Sequence, residues 1–90
     1  MIKEHDRIVL KESLALVGLE AGDVGTVVHC YRDGKAYEVE FTTLAGKTAA
    51  VVTVGVAQVR EVRKREITHA RPLVEPLAAV VHEKQAKYGR

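Results

Sequence analysis

The sequence predicts a mainly β domain: a small five-stranded antiparallel barrel over residues 1–62, a basic, proline-containing linker over 63–75 and an amphipathic α-helix over 76–88. Three observations carry this. Asp33-Gly34 sits between two runs dense in β-forming residues, the strongest short-range hairpin signal a sequence offers. Five such short runs follow one another, separated by glycine-containing turns, the spacing of a small closed or nearly closed barrel. Beyond Pro76 the apolar period changes to that of a helix, with Leu77, Val80, Val81, Lys84 and Tyr88 on one stripe.

The first run, Asp6 to Leu10, is short and aliphatic and reads as a strand. Lys11 to Glu20 is more polar and reads as a long loop whose Leu14, Leu16 and Leu19 tuck back onto the core. Gly22-Asp23-Val24-Gly25 opens the second strand, which continues to Tyr31, and glycines three apart suit a turn and a bulge there. After the hairpin, Ala36 to Phe41 alternates cleanly, placing Tyr37, Val39 and Phe41 inward and Glu38 and Glu40 outward. Thr48 to Val54 is apolar on both faces, so periodicity leaves its inward side open. Val56 to Val62 supplies a turn and a last short strand. Proline at the first helical position, an i,i+4 pair of Glu83 with Lys87, and Gly89 at the stop frame the C-terminal helix.

Ninety residues suffice for one domain with one modest core. A hydrophobic fraction of 47% with 29% charged residues is that of a globular chain rather than a disordered one. The N-terminus lacks the apolar stretch of a signal peptide, and no apolar run approaches the roughly 18 residues of a membrane span, so the expected location is the cytoplasm, away from membranes. The lone Cys30 excludes an internal disulfide and fits a reducing compartment. The net charge of +2 is uneven: residues 1–62 carry seven Lys/Arg against nine Asp/Glu, and residues 63–90 seven against three. The basic character therefore belongs to the tail.

No constellation for catalysis is legible, and the expectation is of no enzymatic activity and no cofactor or metal. His5, His29, His69 and His82 are scattered and none forms a ligand pair with Cys30. His29 and Cys30 are neighbours on a strand and point to opposite faces unless a bulge intervenes, and Cys30 reads as a buried, inert thiol. Glu38 and Glu40 lie about 7 Å apart on one strand face, within reach of a carboxylate pair, but a solvated outer face is the favoured reading. Ser13, the only serine, has no nucleophile-elbow context, and no phosphate-cradling glycine loop opens a helix.

Three stretches, Asp6 to Leu10, Gly22 to Val28, and Ala36 to Phe41 with Val51-Val52-Thr53 behind them, together resemble the small bacterial family catalogued as domain of unknown function 4926, over residues 2 to 62. The resemblance implies an SH3-like barrel and brings neither an established activity nor known catalytic residues. It also implies a short accessory or toxin-neutralising, antitoxin-like character. Gly22-Asp23-Val24-Gly25-Thr26-Val27 is similar as well to the Gly-x-x-Gly-x-Val turn of the KOW element and of the barrel domain of nitrile hydratase β subunits, a spacing that answers a structural need.

Two partner classes follow. The leading one is protein: a foreign bacterial protein or a second copy of the chain, held through Leu77, Val80, Val81 and Tyr88 of the C-terminal helix. Because Pro72 and Pro76 stiffen the connection, docking on a neighbouring chain is favoured over folding back. The alternative is weak nucleic-acid binding by a KOW-like barrel, with Arg63, Lys64, Arg65 and Arg71 meeting phosphates.

Overall fold

A computed structural model describes residues 1–73. Five antiparallel strands form one sheet in the order β4-β3-β2-β1-β5, with β1 at Arg7–Leu10, β2 at Val24–Cys30, β3 at Ala36–Thr42, β4 at Thr48–Gly55 and β5 at Val59–Glu61. The expected hairpin joins β2 to β3. Gly34 takes the left-handed conformation (φ 72°), and its N–H donates to the Tyr31 carbonyl (2.9 Å). The Asp33 carboxylate accepts from the Lys35 N–H (2.9 Å) and fixes the turn from inside.

Inward residues alternate along β3 and β4, whereas β1 buries Ile8, Val9 and Leu10 in succession. Ile8 and Leu10 from β1, Val27 from β2, Val39 and Phe41 from β3 and Val59 from β5 are all buried. In β4 the inward set is Ala50, Val52 and Val54, the face that periodicity left open. Each fully buried aliphatic side chain contributes on the order of 1.5–3 kcal/mol, so these residues hold the two halves of the sheet together. A bulge at Val28 resets the alternation of β2, which leaves His29 exposed and turns Cys30 half inward against the core.

The sheet is not closed into a barrel, contrary to expectation. β5 pairs with β1, and no ladder joins it to β4. Strand parity explains this: β4 and β5 run in the same direction, and a parallel pair needs a crossover of about a dozen residues or more. Only a 3-10 turn, Val56–Gln58, separates them. No α-helix occurs among the described residues, and the helix expected at 76–88 lies outside them.

The loop from Lys11 to Glu20 does return to the core, although not with all its leucines. Leu14 and Leu19 bridge through N–H to carbonyl bonds of 2.8 and 3.2 Å, burying Leu19 and half-burying Leu14. The 3-10 turn Ala15–Val17 between them, ended by Gly18 at φ 74°, throws Leu16 outward at 73% exposure.

The two glycines that open β2 have different duties. Gly22 occupies φ 97° in open space. Gly25 has ordinary backbone but no room: a Cβ there would lie 2.5 Å from Cγ1 of Val39 and 2.8 Å from the Phe41 ring. Replacing Gly25 with alanine is expected to cost about 1–3 kcal/mol through overpacking, and Gly22→Ala about 1–2 kcal/mol through its left-handed backbone. Urea unfolding of both variants checks this, with Gly25→Ala also shifting the Phe41 ring resonances and Gly22→Ala leaving them in place.

Candidate functional site

At the end of the sheet where β2 begins and β3 ends, the tail returns across the molecule. Its anchor is Arg71, whose Nε and Nη2 donate to the two carboxylate oxygens of Asp23 at 3.0 and 2.5 Å. Nη2 also donates to the Gly18 carbonyl (3.0 Å), and Glu20 stands 3.6 Å from Nη1. A planar guanidinium matches a carboxylate through two parallel bonds, and this pair is largely shielded from water. The hydrogen bonds that Arg71 donates to Asp23 raise the Arg71 pKa further above its already high value.

A second fixing point lies at the root of the tail. Arg60 donates to both oxygens of Glu66 (3.0 and 2.6 Å), and the Arg63 N–H donates to the same carboxylate at 2.7 Å. These bonds, led by the Arg60 side chain, hold the Glu66 carboxyl down at about 2.

Between the returned tail and the β3–β4 connection lies an open groove of about 340 Å³. Leu19, Phe41 and Ala49 form its floor, and Val24, Leu44, Ile67 and Leu73 stand around it. Leu44 is 81% exposed and Ile67 91%, so this rim presents aliphatic side chains to solvent. Polar groups at the margin come from Thr42, Thr68 and His69.

The residues picked out from sequence fall elsewhere. Glu38 and Glu40 face outward from β3, where they accept hydrogen bonds from neighbouring hydroxyls: Thr53 (2.6 Å) and Tyr31 (3.2 Å) to Glu38, and Thr48 (2.5 Å) to Glu40. His29 stacks edge-on against Tyr31 with ring centroids 4.9 Å apart, and its Nδ1 lies 3.7 Å from Glu4. No three His, Cys, Asp or Glu side chains converge as a metal site would require among the described residues. Arg63, Lys64 and Arg65 are exposed, whereas Arg71 is engaged by Asp23 and does not join them. Leu77, Val80, Val81 and Tyr88 lie outside the described residues. Sequence reasoning missed the groove, whose only local signals are lone large aliphatics in polar surroundings: Leu44 in the β3–β4 turn and Ile67 after a charge run.

The described chain is thus an open five-stranded antiparallel sheet with an apolar groove at one end. Its family is established by sequence: the chain belongs to the family described as Domain of unknown function (DUF4926), whose model matches residues 4–61. The match stops at the last residue of β5, so the returned tail that walls the groove lies beyond it. No curated protein and no solved structure matches the chain.

Two predictions follow from the fixing points. Arg71→Met leaves Asp23 without its cation and is expected to cost about 1–3 kcal/mol, with faster amide exchange concentrated in residues 67–73. Glu66 has a folded pKa below its ordinary value of 4.5. Its contribution is therefore complete above that value and lost as pH falls towards about 2. A carboxyl-carbon NMR titration should show Glu66 titrating at about 2, and Arg60→Gln should raise it part of the way back, since the Arg63 N–H bond remains.

Proposed function

We propose that this chain is a non-catalytic protein-interaction module that associates with a second copy of itself, with the C-terminal segment as its adhesive element. The observation that carries the reading is the exposed aliphatic rim of Val24, Leu44, Ile67 and Leu73 around a groove at the end of the sheet to which the tail returns. Apolar surface of this kind gains by leaving water, and the segment beyond it carries Leu77, Val80 and Val81 at helical spacing. A free helix of about thirteen residues is marginal in water, so its aliphatic stripe needs a surface to dock on. The strand order and the 3-10 turn before β5 support the finer view of the sheet as an SH3-like small barrel, curled without closing.

A second reading, weak nucleic-acid binding, is favoured only by the exposed Arg63, Lys64 and Arg65 after β5. With Arg71 held by Asp23, that cluster has three cations rather than four. Binding carried by three phosphate contacts should fall steeply with salt.

The reading is tested by solution mass. The unaltered chain should be larger than a monomer, and Leu77→Asp with Val81→Asp should return it to monomer mass by placing charges in the buried contact. A monomer that keeps its mass and melting temperature through that double change would remove the self-association reading.

A further inference from the structure

We propose that the turn Arg63-Lys64-Arg65-Glu66 is a pre-ordered docking point for an acidic segment of another protein, one that carries aliphatic side chains beside its carboxylates. This contact goes beyond self-association and does not draw on the C-terminal segment. The Glu66 N–H donates to the Arg63 carbonyl (3.2 Å), which closes the turn, and the Glu66 carboxylate folds back to accept from the Arg63 N–H (2.7 Å). Arg60 of β5 then grips both oxygens of that carboxylate, at 3.0 and 2.6 Å. Tied to the sheet in this way, the turn has given up backbone freedom before any partner arrives, and that part of the cost of binding is already met.

The clamp also decides the charge that the turn presents. Glu66 is the one acidic residue of the turn, and its carboxylate is committed to Arg60 and to a backbone N–H. Glu61, the nearest acid before the turn in sequence, lies 3.2 Å from the Met1 ammonium. The side chains of Arg63, Lys64 and Arg65 are exposed, and among the described residues none of them forms an ion pair. Three consecutive cations therefore stand on a fixed turn with their charge uncompensated, complementary to a group of carboxylates.

The surroundings favour a protein over a nucleic acid. Val62 before the turn is 40% exposed and Ile67 after it 91%, so the cations are bracketed by aliphatic side chains that a phosphate backbone leaves in water and a protein segment covers. No Phe, Tyr or Trp occurs from Val59 to Leu73 to stack on a base. Phe41 is buried, Tyr37 packs against the core, and Tyr31 is engaged by Glu38 and His29. A polyanion that outruns the turn meets a domain, residues 1–62, with nine acidic residues against seven basic ones. A short acidic segment does not extend that far.

The experiment uses the full chain and, as probe, a synthetic peptide of six glutamates interrupted by two leucines, with a thymidine oligonucleotide of equal charge beside it. Binding is read at low ionic strength by amide chemical shifts and by fluorescence anisotropy. The peptide is expected to bind more tightly than the oligonucleotide and to shift the resonances of residues 62–67. Lys64→Glu with Arg65→Glu is expected to cost roughly tenfold in affinity. Both side chains are exposed and take no part in the clamp. Glu66→Ala gives the decisive sign: it removes a negative charge, so attraction by net charge alone would tighten binding, whereas loss of the clamp is expected to weaken it by about threefold or more. Unchanged resonances of the β1–β5 ladder check that the sheet is intact in each variant.

Tighter binding by Glu66→Ala would overturn the pre-ordered turn. An oligonucleotide that binds as tightly as the peptide would overturn the protein partner in favour of nucleic acid. A peptide that does not bind, that shifts other residues, or whose affinity survives the double reversal would overturn the turn as the site. None of these results bears on the mass of the unliganded chain, which decides self-association separately.

Discussion

The link between β4 and β5 constrains everything else in this molecule. Gly55 and Val59 end on opposite edges of a five-stranded sheet, which laid flat would hold them about 19 Å apart across the strands alone. Four residue steps reach at most about 14 Å, and a 3-10 turn spans less. The sheet must therefore coil until its opposite corners meet. Hydrogen bonds fasten that meeting: the Val56 N–H donates to the Lys35 carbonyl (3.1 Å), and the Lys11 N–H donates to the Gln58 carbonyl (2.8 Å). The Gln58 side chain accepts from the Gly55 N–H (2.7 Å) and donates to Glu12 (2.9 Å). Coiling lays the inner faces of the two sheet halves on each other, and the space it leaves is so narrow that β2 must pass Phe41 without a Cβ at Gly25.

The same coiling gives meaning to the uneven charge. The acidic first part of the chain and the basic tail are neutralised locally, Asp23 and Glu20 by Arg71, and Glu66 within the tail by Arg60 of β5. The tail cations that remain exposed down to Leu73, Arg63, Lys64 and Arg65, lie within the loop that the Arg60–Glu66 clamp closes. What a count over the sequence presents as a basic arm is, down to Leu73, a tail held at two points. Ile67 and Leu73, which border the aliphatic groove, lie on either side of the Arg71 that Asp23 holds.

Local rules made much of the fold legible before any coordinates. The Asp33-Gly34 hairpin and the alternation of β3 are short-range signals that place their elements correctly; Gly22 marks the turn into β2, but the bulge expected beside it does not occur, since β1 and β2 pair there in continuous register. The bulge at Val28 was not legible, because it is defined by a two-against-one count with β3 and not by any residue of β2 alone. Leu16 was misplaced because the 3-10 turn that ejects it is set by the Leu14–Leu19 bridge. Closure was overestimated because strand number was considered without strand direction. Of the candidate site almost nothing was visible. The pairing of Arg71 with Asp23 spans forty-eight positions, and a groove whose walls come from four separate stretches leaves no pattern in any one of them.

β4 carries a liability of a different kind. Thr48–Gly55 contains no charge and no proline, and it is rich in valine and alanine: Ala50, Val52 and Val54 pack inward, and Ala49 and Val51 are half-buried on the other face. In a chain that has lost its fold, those eight residues combine β propensity, absent charge and absent proline, the composition that stacks into intermolecular cross-β structure. The nearest charges guarding the segment are Lys47 before it and Arg60 after it. Productive folding is therefore a race for β4: β3 must capture it along the full register from Ala36↔Gly55 to Thr42↔Thr48 before another unfolded chain does. The strand that completes the core is also the one through which aggregation would begin.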